Sequence, residues 1–200
     1  MEGRSEGNVR QVSSRSVGVE EEFLLVEPET GQPRAVAGTV LAAAQQAGAD
    51  GHDGDGAALE FELKQQQLET NSEPCRTLGE LHREIRRGRA AAAAAAERAG
   101  VRVVALATSP VPVEPKVVGT SRYRRMADAF GLTAHEQLTC GCHVHVGISS
   151  DEEGVAVLDR IGPWLSVLLA LSANSPFWQV RTVPTRASAT RRGAAGRARG

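Results

Sequence analysis

Two stretches of the chain alternate with period two between apolar and acidic side chains. That pattern restricts them to strands with one face in a core and the other carrying charge. In residues 17 to 26, Val17, Val19, Glu21 and Phe23 fall on one side, and Gly18, Glu20, Glu22 and Leu24 on the other. Further on, Leu59, Phe61 and Leu63 alternate with Glu60, Glu62 and Lys64, and extended chain is expected to continue to Asn71.

Helical signals separate these strands. Glu27 to Gly31 reads as a turn, and an Ala-rich helix is expected after Pro33, ending at Gly48. His52 to Gly56 is a Gly/Asp loop. Thr77 and Glu80 have the spacing of a capping box, Leu78, Leu81 and Ile85 form one helical face, and Ala90 to Ala96 carry the helix to Gly100. Val101 to Ala107 is a continuous apolar run, read as a buried strand, and Ser109 to Gly119, with three prolines, is a loop. Arg122 to Phe130 is helical, with Gly131 as its stop, and Cys140 to Ile148 is a strand. Ser150 and Glu153 have the spacing of a second capping box, opening a helix that Pro163 should bend or restart. Trp164 to Ala173 is apolar enough to predict a buried helix. Strands alternating with helices in this way predict an α+β fold. Its mostly antiparallel sheet would be packed on helices on one face and lined with acids and histidines on the other.

Composition narrows the function classes. A chain of 200 residues with 41% hydrophobic content can bury the core of one domain. A net charge of −1 gives no bulk attraction to nucleic acid or to an acidic membrane surface. No apolar run reaches the roughly 20 residues of a membrane span. Met1 to Ser16 is polar and has no signal-peptide core, so a frayed N-terminus and a cytoplasmic location are expected. Three cysteines do not suggest a disulfide scaffold. With only 4% aromatic residues, the core must rely on Val, Leu and Ala.

The candidate chemistry lies in acids and histidines. Glu20 and Glu22 share a strand face with Cα atoms roughly 6.5 Å apart. Carboxylates that close repel unless a cation sits between them, and hard cations such as Mg²⁺ take oxygen ligands of this kind. A solvated strand edge is the alternative. Glu62 and Glu69 add two acids after the second strand. In the run from Cys140 to Ile148, strand geometry puts Cys140, Cys142, Val144 and Val146 on one face. Gly141, His143, His145 and Gly147 fall on the other. One strand cannot wrap both pairs round a zinc ion, so the cysteines are expected to be buried core thiols. The histidines either bind a ligand or hydrogen-bond neighbouring acids. Tyr123 with Arg122, Arg124 and Arg125 forms either an anion site or a solvated face. No P-loop, dinucleotide-binding glycine motif or nucleophile elbow is present.

Four motifs in order resemble one family: Gly18-Val-Glu-Glu-Glu-Phe23, Glu62-Leu-Lys-Gln-Gln-Gln-Leu-Glu69-Thr-Asn-Ser72, Cys140-Gly-Cys-His-Val-His-Val-Gly-Ile148 and Leu171-Ser-Ala-Asn-Ser-Pro-Phe-Trp178. Together they are similar to the carboxylate–amine ligases of the glutamate–cysteine ligase type 2 family. The resemblance covers residues 16 to 179 and implies a glutamine-synthetase-like catalytic sheet, here incomplete. It also implies ATP, Mg²⁺ or Mn²⁺, a glutamate-like acid, and cysteine or another amine as acceptor. The acid would be activated as an acyl phosphate and the amine would displace phosphate to form an amide. By this resemblance Glu20, Glu22, Glu62, Glu69 and His143 match positions that hold metal or line the nucleotide and substrate site, and His145 is a further metal candidate. A non-catalytic metal- or ligand-binding module and a zinc-dependent hydrolase are the other readings.

The resemblance divides the chain into a disordered start (1–16), a partial catalytic domain (17–179) and a basic tail (180–200). Family members are longer, so activity is expected to be impaired by truncation. The tail holds six arginines and no acid, a composition expected to be disordered. Regrouping its codons one base earlier allows a family-like continuation, which makes an out-of-frame origin the expectation and a native basic tail the alternative.

Overall fold

The computed structural model describes residues 15–49, 58–173, 175–178 and 181–182. Residues 1–14, the expected loop at His52 to Gly56 and the tail from 183 onward lie outside them. β1 (Val17–Val26) is the strand on which the sheet is built. One edge pairs with β3 (Gln67–Asn71) over Glu20 to Leu24. The other edge is divided: residues 17 to 21 pair with β5 (Cys142–Val146), and Leu24 to Val26 pair with β4 (Arg102–Val104). β2 (Ala58–Phe61) lies outside β3, and all four pairings are antiparallel. With its helices this is the expected α+β fold.

Two strand readings are revised. Extended chain does not continue from Phe61 to Asn71. It turns between Phe61 and Gln67, so β2 and β3 form a hairpin whose connection carries Glu62 and Lys64. The Lys64 side chain is fully buried, and its ammonium donates to the carbonyls of Ala134 and His135, which pins that turn inside the protein. The buried strand expected over Val101 to Ala107 shortens to three partly exposed residues. The turn after β1 is as read: Gly31 takes φ 69°, a left-handed conformation that side-chain-bearing residues rarely adopt.

The helix face holds the core. α1 (Ala37–Ala49) and α2 (Leu78–Arg98) cover Phe23 and Leu25 of β1 and Leu68 of β3. From the alanine run, Ala92, Ala95 and Ala96 are the buried members, at the three- and four-residue spacing of one helical stripe. The Thr77–Glu80 capping box forms in full. Gly88, an unfavourable residue in mid-helix, lets α2 approach Thr70, since a Cβ there would stand 3.3 Å from the Thr70 Cβ. Glu21, the middle acid of the triple, belongs to this face, where the Arg89 guanidinium of α2 grips it through two hydrogen bonds of 2.8 and 2.5 Å.

α3 (Ser121–Phe130) stops at Gly131 as expected, and a short α4 (Leu132–Glu136) follows that the sequence reading missed. Tyr123 does not form an anion site. Its ring is buried with Leu63 and Val118, its hydroxyl donates to the Phe61 carbonyl, and Arg122, Arg124 and Arg125 are exposed.

α5 (Asp151–Leu171) departs most from expectation. It continues through Pro163 without restarting, and not one of its residues is buried, including the apolar stretch expected in the core. By length and composition it is long and apolar enough to cross a membrane, with a mean hydropathy of 1.5 over its most apolar window, where the sequence reading found no such run. Ser150 caps it by accepting from the Glu153 amide. The reciprocal bond goes elsewhere, because the Glu153 carboxylate accepts from the Ser149 amide and hydroxyl and pairs with Arg15. Beyond it, β6 (Phe177–Trp178) and β7 (Arg181–Thr182) pair antiparallel, so the tail from 180, expected to be disordered, contributes one strand of a small pair.

Candidate metal centre

The sheet face opposite α1 and α2 gathers the acids. Side chains at paired register positions point the same way, and Glu22 stands opposite Glu69 while Glu20 stands opposite His143. His145, two residues beyond His143, returns to that face opposite Gly18. Glu62 comes from the β2–β3 connection. All six sequence candidates therefore reach one face, in two groups: Glu20 with His143 and His145, and Glu22 with Glu62 and Glu69. Within each group one potential ligand atom per residue lies within 4.8 Å of the others.

The groups differ in character. In the first, Nδ1 of His143 is 3.0 Å from Oε2 of Glu20 and Nε2 of His145 is 3.1 Å from Oε1. The two imidazoles lie edge to face, 6.3 Å apart. Hydrogen bonding to His143, and then to His145, holds the Glu20 carboxyl below its ordinary range. In the second group the carboxyls crowd one another. Burial pushes Glu22 up to about 7, and the nearby Glu62 adds to the effect. Glu69 is also pushed up to about 7, for the same two reasons. Such crowding is the electrostatic condition that a bound cation relieves.

The donors suit divalent cations. Three carboxyls supply oxygen to a hard ion such as Mg²⁺ or Mn²⁺, while two imidazoles and a carboxylate also suit zinc. Gly141 leaves no room for a side chain between the groups: a Cβ there would stand 2.9 Å from His143 Nε2 and 3.2 Å from Glu22 Oε1, one atom from each group.

Two residues hold Glu22, and neither role was read from the sequence, although Gly141 was placed on the histidines' face. Gly141 donates its amide to Oε2 of Glu22 at 2.9 Å, and Gln67 donates to the same oxygen at 3.2 Å. Gln67 lies two residues before Glu69 in β3, so the period-two argument that placed Gly141 beside His143, applied to that strand, would have found it.

The cysteines divide. Cys140 is buried with Leu24, Val26 and Leu138, and burial drives its thiol far above the ordinary range. Cys142 is exposed, contrary to expectation. It opens β5 opposite Glu21, on the helix face, where every residue of β5 is exposed.

The fold is an antiparallel sheet with helices on its back and a face lined with carboxylates and histidines. The chain belongs to the glutamate–cysteine ligase family 2, whose model matches residues 16–192. It is 56% identical over 167 residues to a Streptomyces avermitilis protein provisionally named glutamate–cysteine ligase 2-1, an alignment covering 84% of this chain and 45% of that one. A similarly named Paenarthrobacter aurescens protein is 54% identical over 168 residues, covering 84% and 44%, and a Streptomyces coelicolor one is 53% identical over 167, covering 84% and 45%. The chain thus spans less than half the length of these relatives.

Proposed function

We propose that this chain carries the cation-binding part of an ATP-dependent carboxylate–amine ligase of the glutamate–cysteine ligase kind. Such an enzyme joins a glutamate-like acid to cysteine or another amine in the cytoplasm. The observation that supports this best is the convergence of two ligand groups on one sheet face, Glu22–Glu62–Glu69 and Glu20–His143–His145. When bound, Mg²⁺ or Mn²⁺ neutralises phosphate charge and aligns a phosphoryl group for transfer. The chain's own residues hold and orient the ligands. Gly141 and Gln67 fix Glu22, the β1–β3 register sets Glu69 beside it, and His143 and His145 fix both oxygens of Glu20.

A second reading draws on the same face. A zinc hydrolase needs an acid beside its histidines, and Glu20 stands there on β1. Calorimetric titration separates the two. The ligase reading expects Mg²⁺ or Mn²⁺ to bind in millimolar to micromolar range and to be required for ATP binding, both lost in Glu69→Gln. Tight zinc binding with no metal-dependent ATP binding would sink it in favour of the second. The chain alone, less than half the length of its relatives, is expected to release little phosphate from ATP with glutamate and cysteine.

A further inference from the structure

We infer that Gln67 is a positioning residue for the carboxylate group: it clamps Glu22 and ties it to the segment leading into the histidine strand. This rests on the cation reading above. Gln67 opens β3 and is 2% exposed. Its side-chain amide nitrogen stands close to two oxygen acceptors, Oε2 of Glu22 at 3.2 Å and the Thr139 carbonyl at 2.8 Å, with Sγ of Cys140 farther off at 3.7 Å. The Gly141 amide donates to the same Glu22 oxygen at 2.9 Å. One carboxylate oxygen therefore carries both neutral donors. The other, Oε1, lies 3.2 Å from where a Cβ on Gly141 would stand.

Chemistry explains why the residue is an amide. A carboxylate among carboxylates needs hydrogen-bond donors to hold its orientation. A cationic donor at this spot would compete with the metal, and a second acid would add repulsion. A neutral amide orients the ligand and leaves its charge for the ion, as partners of metal ligands commonly do. The Thr139 bond matters equally. Thr139 sits two residues before Gly141 and four before His143, so the same buried side chain spans from the carboxylate group to the strand that carries the histidines.

The test is a Mn²⁺ titration of the full 200-residue chain, followed by the electron paramagnetic resonance signal of the free ion. It compares the parent with Gln67→Met, which keeps the volume and removes the donor, and with Glu22→Gln. Far-UV circular dichroism checks that each is folded. The parent should bind Mn²⁺ and Glu22→Gln should lose a site. Gln67→Met should keep its helix and sheet signal yet bind at that site roughly 10- to 100-fold more weakly. Parent-like Mn²⁺ binding by folded Gln67→Met overturns the inference and leaves the cation reading standing. Absence of any Mn²⁺ site sensitive to Glu22→Gln overturns both. Should Gln67→Met fail to fold, the parent supplies the answer through its ¹⁵N-labelled glutamine side chains. The Gln67 amide signal is expected to move as Mg²⁺ saturates the site, and a signal that stays in place overturns the inference.

Discussion

Glu22 and Glu69 stand directly opposite each other across β1 and β3, and both carboxyls are pushed up to about 7. In the unfolded chain each titrates near 4.5, so between those values the folded protein binds more protons. Stability from these groups is therefore present at low pH and is lost as pH rises through about 7. For the more buried Glu22 the loss is of order 3 kcal/mol, and the pair loses less than twice that because both feel the same repulsion. In EDTA the melting temperature should fall from pH 5 to pH 8. Saturating Mg²⁺ should offset the fall, most strongly at pH 8. A melting temperature indifferent to both pH and Mg²⁺ would contradict the arrangement.

Glu62 raises both of its neighbours, which makes its removal informative. Glu62→Gln should stabilise the metal-free protein by about 1 kcal/mol at pH 8, since a repulsion is relieved. It should also weaken Mn²⁺ binding at least tenfold. The two effects run in opposite directions, as they do for an acid kept for its ligand role. Denaturant unfolding and metal titration on one preparation decide the matter. Equal stability and equal affinity would place Glu62 outside the site.

The thiols should react in two classes. Cys142 is exposed, while Cys75 and Cys140 are buried. Maleimide at pH 8 should modify one thiol rapidly in the native protein and the other two only on unfolding. Mass spectrometry of tryptic peptides identifies the site, and fast labelling at Cys140 would refute the packing described.

The bare helix should govern behaviour in solution. Trp164, Leu165, Leu168 and Leu171 of α5 are each at least half exposed. Apolar surface of this extent drives association. Replacing Leu165 and Leu168 with lysine should raise solubility and reduce dye binding to exposed apolar surface. The melting temperature should change little, because exposed positions cost within about 0.5 kcal/mol. A large loss of stability would mean that the helix is packed in solution.

Local features were legible in the sequence to the degree that period and capping decide them. The separation of Glu20 and Glu22 from Glu21 follows from alternation alone, and the start of α2 follows from Thr77 and Glu80. Non-local pairing set the rest. Nothing near Phe61 announces that the chain turns there, because the turn is held by Lys64 reaching a carbonyl some 70 residues away. The exposure of Cys142 was equally hidden. Alternation names its face correctly, but only tertiary packing decides whether a helix covers that part of the face. The apolar character of α5 was plain, yet composition cannot show whether a partner surface exists among the described residues.

The divided edge of β1 also sets an order in time. β1, β2 and β3 are complete by Asn71, whereas β5 begins at Cys142. A chain emerging from the ribosome can thus set Glu22 opposite Glu69 about seventy residues before His143 exists, while the turn that carries Glu62 waits for Ala134 and His135. Closing β5 onto β1 is a long-range step, of the kind that slows folding. On the proposed cation reading, the face is at that stage lined by oxygen donors alone, which suit magnesium. The imidazoles that would welcome a softer ion arrive only afterwards.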